Sequence, residues 1–346
     1  METLWFWIVS VMVAVYVVLD GFDFGAGVLH LFVAKTDDER KSVLAAIGPF
    51  WDGNEVWLLA GGGALFFAFP AAYAAGFSGF YLPLTMVLWL LMLRGLSIEF
   101  RNKEESGLWR SFWDGTLFVA SALMAIVLGA ALGNVVRGVP LDQTGYFTGP
   151  LFTDFTPGAH PGVLDWFTVV IGVFALVVLA MHGALFLRMK LEGPVAERCT
   201  KAAETAWLGV VVVGLLATFA TAAVRPDMFD QVVHRPLSLV LAIGFVIALG
   251  MVKVGLTQKK PVAPFVASAL FIVAMLASTA AAVFPVMLRS TIDPQFSITA
   301  MNAHTSSLSM NVGAVVWVIG FALAGGYFVY LFKTFGGKTT ADDYGH

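Results

Sequence analysis

Long apolar runs, broken at intervals by short polar connections, set the pattern of this chain. A helix needs roughly 20 residues to cross about 30 Å of hydrocarbon. By that length criterion the candidate spans are residues 4–33, 54–74, 77–98, 112–136, 163–188, 203–224, 237–257, 262–285 and 310–333. The first is long and is interrupted by Asp20 and Asp23. Only Ala74-Ala75-Gly76 separates the second from the third, and Pro70 with Gly76 predicts a tight helical hairpin there. The expected fold class is all-α: a polytopic integral membrane protein of about nine transmembrane helices in a single domain over 1–346. Its helices divide into bundles at approximately 1–136 and 163–333, with turn-rich outer loops at approximately 137–162 and 286–309.

Charge then orients the helices. Of the twenty lysines and arginines, sixteen fall in the connections after the first, third, fifth and seventh spans or in the C-terminal tail. The other connections hold only Arg137, Arg225, Arg235 and Arg289. By the positive-inside rule the N-terminus lies outside and the C-terminus in the cytoplasm. Composition agrees with a lipid solvent: the 346 residues are 59% hydrophobic and 12% charged, against about 25% charged in soluble domains. Mean hydropathy is +0.84. A single cysteine, Cys199, excludes a disulfide framework, a paired-thiolate haem attachment and a zinc cluster. The opening Met-Glu-Thr has no basic n-region, so the first helix is expected to remain in the mature protein.

Ionisable residues at membrane depth cost about 2.5–3.5 kcal/mol each on insertion scales, so each needs a reason. Asp20 and Asp23, three apart in Leu19-Asp20-Gly21-Phe22-Asp23-Phe24-Gly25-Ala26-Gly27, share one helix face, and the glycines predict a close neighbouring helix. They lie about 24–29 Å along a helix that runs inward, in its cytoplasmic half. In Gly48-Pro49-Phe50-Trp51-Asp52-Gly53-Asn54-Glu55-Val56-Trp57, the Asp52/Glu55 spacing fits either a capping-box helix start or a proton carrier. In Arg94-Gly95-Leu96-Ser97-Ile98-Glu99-Phe100-Arg101, Glu99 fits an ion pair at a helix end or a direct role, and Asp114 is expected to help start the fourth span. Topology gathers all these acids on the cytoplasmic side, as a proton-uptake path requires.

Histidine points elsewhere. His30 and His182 fall near cytoplasmic helix ends, His160, His234 and His304 in outer connections, and His346 at the terminus. No spacing marks a metal site, and the thirteen methionines read as packing. Trp5, Trp7, Trp51, Trp57, Trp109, Trp113 and Trp166 read as the aromatic belts of the two membrane surfaces.

The Leu19 to Gly27 motif, the Gly48 to Trp57 segment and Phe69-Pro70-Ala71-Ala72-Tyr73-Ala74 resemble subunit II of the cytochrome bd-type quinol oxidases. So do Arg94 to Lys103 and the stretch from Phe284-Pro285 through Asn302-Ala303, and the resemblance runs essentially end to end. It implies a multi-pass subunit of an electrogenic, non-pumping oxidase in the bacterial inner membrane, which oxidises quinol and reduces dioxygen to water. Haems b and d are expected in subunit I, with no cofactor held by this chain except a quinone or lipid. Expected partners are subunit I, small single-helix accessory subunits, quinol and the lipid bilayer, with no nucleic acid. The family's proton-path acids match Asp52 and the acidic position Glu99, where some members carry aspartate, and Asp23 stands in a matching motif. With Asp20 and Glu55 these form the candidate proton path, and no catalytic residue or metal ligand is expected in this chain. Two other readings stay open on the residues alone: a proton-coupled secondary transporter, and a scaffold that only supports a partner.

Overall fold

The computed structural model describes residues 1–343; His346 lies outside the described residues. The chain is helical almost throughout, as its apolar runs predict. Among the described residues, eight helices are long and apolar enough to cross a membrane: α1 (Glu2–Val33), α5 (Tyr81–Phe100), α6 (Gly107–Arg137), α7 (Trp166–Lys190), α8 (Gly193–Val224), α10 (Pro236–Thr257), α11 (Ala263–Val283) and α12 (Ser307–Thr334). Asp20 and Asp23 do not interrupt α1, which runs unbroken past both.

The expected second span is a pair of helices, α3 (Trp51–Ala68) and α4 (Pro70–Gly79), which meet at Phe69. Pro70 lacks the N–H that a continuing helix would need, but it suits the first turn of a new one. The hairpin expected at 74–76 is absent, because those residues lie inside α4 and the chain passes into α5 at Phe80. Asp52, Asn54 and Glu55 in its first turns leave α3 outside the set of helices long and apolar enough to cross a membrane.

Two short helices lie where connections were expected. Helix α2 (Asp37–Ile47) opens on a capping box in which Thr36 Oγ1 accepts from Glu39 N at 3.2 Å, and it buries Val43 to Ile47. The Thr36-x-x-Glu39 signal is present in the sequence, inside a stretch too short and polar to read as a span. Helix α9 (Asp227–His234) follows α8 on the side with few basic residues.

The centre of the bundle is α1, which packs against α3, α6, α7 and α11 and so joins both halves of the chain. Its closest approach is to α7. A Cβ on Gly25 would sit 2.0 Å from the Leu179 carbonyl oxygen and 2.8 Å from the Gly183 backbone. Only glycine lets two backbones meet in this way. The glycines and acids of α1 therefore serve different neighbours: Gly25 faces α7 and Gly27 faces Ser121 of α6, while Asp20 and Asp23 face α5 and α3. Helices α10 and α11 are cross-linked by reciprocal hydroxyl-to-carbonyl hydrogen bonds between Ser238 and Ser278, at 2.9 and 2.8 Å.

Helix α12 stands at the margin and meets the bundle chiefly through rings, with Phe321 5.7 Å from Trp57 and Phe332 4.9 Å from Phe50. Of the expected belt tryptophans, Trp5, Trp57 and Trp113 are packed within the chain, and Trp5 Nε1 donates to the Met310 carbonyl at 3.1 Å. The two outer loops interlock. Strands β1 (Val286–Leu288) and β2 (Ile298–Thr299) form an antiparallel ribbon, and Val139 N donates to the Arg289 carbonyl at 2.8 Å.

Candidate functional site

Asp20 and Asp23, one turn apart on α1, are both fully buried. Arg94, one and a half turns before the end of α5, reaches across to them. Its Nη1 donates to Asp20 Oδ1 at 2.5 Å and its Nη2 to Glu55 Oε1 at 2.5 Å. The guanidinium also lies 4.3 Å over the ring of Phe24. On α3 the adjacent residues Asn54 and Glu55 point different ways: Asn54 turns inward and donates to Asp23 Oδ2 at 2.7 Å and the Leu19 carbonyl at 3.1 Å. The Trp51 ring lies close against Gly95, which holds the start of α3 beside α5.

This cluster sets one cation against three carboxylates. Several of its polar atoms are buried without a hydrogen-bond partner: Asp20 Oδ2, Asp23 Oδ1, Asn54 Oδ1, Arg94 Nε, and nearby on the same helices Tyr16 OH and Trp57 Nε1. Buried polar groups nearly always find a partner, and where protein supplies none, internal water does. A pocket of acids, amide and hydroxyl that calls for water has the chemistry for relaying protons.

A second ionic cluster lies nearer the basic side. Asp114 accepts from Arg101 Nε at 2.5 Å, from Arg40 Nη1 at 2.8 Å, and pairs with His30 Nε2 at 2.8 Å. Arg101 also donates to Asp37 Oδ1 at 2.8 Å, and Arg110 to Asp37 Oδ2 at 3.1 Å. Asp37 lies at the start of α2, outside the spans. Partial burial works to raise its pKa, but the pairing with Arg101, Lys41 and Arg110 outweighs that and holds it below the usual carboxylate value.

The candidate path residues thus separate into two groups. Asp20, Asp23 and Glu55 come together around Arg94, whereas Asp52 and Glu99 are exposed and make no hydrogen bond or ion pair. The capping box expected of Asp52 and Glu55 does not form, since Phe50 is the N-cap and Glu55 is drawn to Arg94. The ion pair expected for Glu99 is absent because both nearby arginines are engaged elsewhere. Asp114 lies two turns into a helix that begins at Gly107, so it is a buried junction rather than a helix start. Asn54, Arg94, Tyr16 and His30 belong to these clusters but not to the candidate path. Asn54 and Arg94 do stand in the motifs that drew attention to Asp52 and Glu99.

Among the described residues no group of three or more His, Cys, Asp and Glu side chains is disposed to hold a metal ion. His182 uses both ring nitrogens internally, on Ser268 Oγ at 2.6 Å and the Val18 carbonyl at 3.0 Å. Cys199 is free and buried.

Residues 1–335 match the family model described as cytochrome bd terminal oxidase subunit II. The chain is 32% identical over 316 residues to the cytochrome bd ubiquinol oxidase subunit 2 of Bacillus subtilis, covering 91% of this chain and 90% of that one. To the cytochrome bd-I ubiquinol oxidase subunit 2 of Escherichia coli it is 31% identical over 346 residues, covering 91% and 88%. Its fold is similar to a chain in the structure of the bd oxidase from Geobacillus thermodenitrificans, with TM-score 0.74 at 16% identity, over 96% of this chain and 98% of that one.

Proposed function

The chain belongs to the cytochrome bd terminal oxidase subunit II family, and from that premise we propose that its buried acids conduct protons to the oxygen-reducing centre of its partner. Membership makes it one subunit of a membrane oxidoreductase complex and implies a subunit I beside it. The observation that carries the proposal is the set of partnerless polar atoms around Asp20, Asp23, Asn54 and Arg94. A purely structural salt bridge has no use for unsatisfied oxygens, which raise its cost. A relay needs them, because each water in it must exchange partners.

In this reading protons enter from the cytoplasmic side, where Asp52 and Glu99 sit exposed at the inner ends of α3 and α5. Asp52 is three residues from Glu55 on the same helix, so one turn of α3 leads from the exposed acid to the buried cluster. The excess of carboxylate over cation is one that a bound proton relieves.

Redox chemistry belongs to the partner in this account. The residues here fit a haem poorly, since His182 is fully engaged and His30 is tied to Asp114. As the family resemblance implies, haems b and d are assigned to subunit I, in a complex of the bacterial inner membrane that takes electrons from a quinol. The ubiquinol oxidases of Bacillus subtilis and Escherichia coli support that donor. Small single-helix accessory subunits would complete the assembly.

A scaffold role draws its own support from the Asp114 cluster, which ties α1, α2, α5 and α6 together at the inner surface. The two roles occupy different clusters and coexist. Asp52→Asn in the two-subunit complex tests the entry point: we expect normal assembly with slower oxygen consumption. Unchanged assembly together with an unchanged rate would remove Asp52 from the path.

A further inference from the structure

Arg225, Arg235 and Arg289, three of the four basic residues on the outer side, converge on a single cavity of about 420 Å³ between the outer ends of α8, α10 and α11 and the β-ribbon. Their charges are unequally matched. Arg225 forms a two-pronged ion pair with Asp227 at 2.8 and 2.7 Å, and its Nη1 donates to the Val136 carbonyl at 2.5 Å. These hydrogen bonds from Arg225 hold the Asp227 carboxyl below its usual range, so Asp227 is spent on that partner.

Arg235 engages only backbone carbonyls, those of Ala281 and Phe284, through Nη1. Its Nε and Nη2 donors remain available. Arg289 Nη1 stays 3.6 Å from Asp227 Oδ1 and is buried without a hydrogen bond. Burial, followed by the charge of neighbouring Arg225, pulls the Arg289 pKa down, a like-charge strain that an anion would relieve. Three guanidinium groups thus share one carboxylate, which leaves the cavity lining with two positive charges in excess.

Beside this cavity lies a second, of about 440 Å³, which shares Arg235, Phe284 and Pro285 with the first. Its remaining lining is mostly apolar, with Trp7, Pro236 and Leu237. A cationic cup opening beside an apolar recess, at helix ends that mark the membrane surface, has the shape and charge of a phospholipid receptor. A free phosphate would use only the first half, and a neutral quinone would leave the guanidinium charges unmatched.

We propose that this outer pocket binds an anionic glycerophospholipid, its phosphate between Arg235 and Arg289 and an acyl chain along the recess of Trp7, Leu237 and Phe284. Arg is well suited to this task because its planar donors match two phosphate oxygens at once. The lipid would fasten the β-ribbon to α9 and α10. This inference is independent of the proton path, which lies on the opposite side of the membrane.

The test uses the intact two-subunit complex, purified in mild detergent and stripped of loosely held lipid. Bound phospholipid is quantified in wild type and Arg289→Gln, a change at a residue that makes no hydrogen bond through its buried Nη1. We expect wild type to retain an anionic phospholipid and Arg289→Gln to retain at least about threefold less. A second measurement needs no variant: short-chain phosphatidylglycerol, short-chain phosphatidylcholine and inorganic phosphate are each titrated into the stripped wild type. Only phosphatidylglycerol should raise the unfolding temperature. Equal lipid retention in the two proteins, equal stabilisation by phosphatidylcholine, or full stabilisation by phosphate alone would each overturn the proposal.

Discussion

Asp23 Oδ2 accepts a 2.7 Å hydrogen bond from Asn54 Nδ2, and Asp23 Oδ1 next to it is buried with no partner. One oxygen is fixed by protein and the other is left for something that can come and go. The same asymmetry recurs at Asp20, whose Oδ1 is held by Arg94 while Oδ2 is unpaired. Two half-satisfied carboxylates one helical turn apart distinguish this pocket from the Asp114 junction, where both oxygens are engaged. On the proposal that the first pocket relays protons, the contrast lies in the carboxylate oxygens, since the partnerless atoms of the second cluster are nitrogens, His30 Nδ1, Arg40 Nε and Arg110 Nε.

Arg94 is the cation on which the pocket depends. Removing one partner of a buried ion pair costs about 3–5 kcal/mol, because the charge left behind has neither water nor counter-ion. Arg94→Gln should therefore lower the unfolding temperature of the complex or its yield. Adding Asp20→Asn should restore part of the loss, since it removes one stranded charge. An Arg94→Gln complex as stable as wild type would show that the ion pairs carry no weight.

Gly25 and Gly183 tolerate no side chain. A Cβ at Gly183 would fall 2.4 Å from the Gly25 carbonyl carbon, and backbone cannot yield as a side chain can. Gly183→Ala should cost more than the 1–3 kcal/mol that is about usual for overpacking, and should abolish assembly. Gly62→Ala, with nothing within 4 Å of its added Cβ, should be neutral or slightly stabilising. Similar expression of the two variants would contradict the close α1–α7 contact.

The surface clamp on α2 should be acid-sensitive. The Asp37 pKa is lowered in the folded chain, so its stabilisation is present above the ordinary carboxylate value, about pH 3.9, and is lost as the pH falls through the lower folded value. Hydrogen exchange within α2, corrected for the intrinsic pH dependence, should be unchanged from pH 7 to 5 and should rise below about pH 4. Asp37→Asn should raise it at neutral pH as well. Loosening already between pH 7 and 5 would assign the clamp to another group.

Much of this architecture is legible in the sequence, because lipid leaves so few options for apolar runs of membrane length. Asp20, Asp23 and Glu55 stand out for the same reason: each is a charge where charge is costly. Their partners are less visible. Arg94 pairs with residues 74 and 39 positions away, a relation that no local spacing encodes. Read locally, it is drawn to Glu99, and Glu55 to Asp52. Pro70 does signal a break, but read together with Gly76 it places the turn at 74–76 rather than at Phe69, because hydropathy through this apolar run is insensitive to a missing N–H. Helices α2 and α9 are too short to register as spans, although the Thr36 capping box announces the first. The arginines of the outer pocket, scattered from 225 to 289, only become a group once α8, α10 and the ribbon converge.

The most direct test of the relay is the rate of proton uptake coupled to oxygen reduction in reconstituted two-subunit complex carrying Asp23→Asn. Asparagine keeps the size of the side chain and a carbonyl oxygen for Asn54, so the complex should assemble with normal stability. Turnover and proton uptake should fall together, by at least about tenfold, or about 1.4 kcal/mol in the barrier. A fully assembled Asp23→Asn complex that consumes oxygen and protons at the wild-type rate would contradict the relay and leave this pocket a structural one.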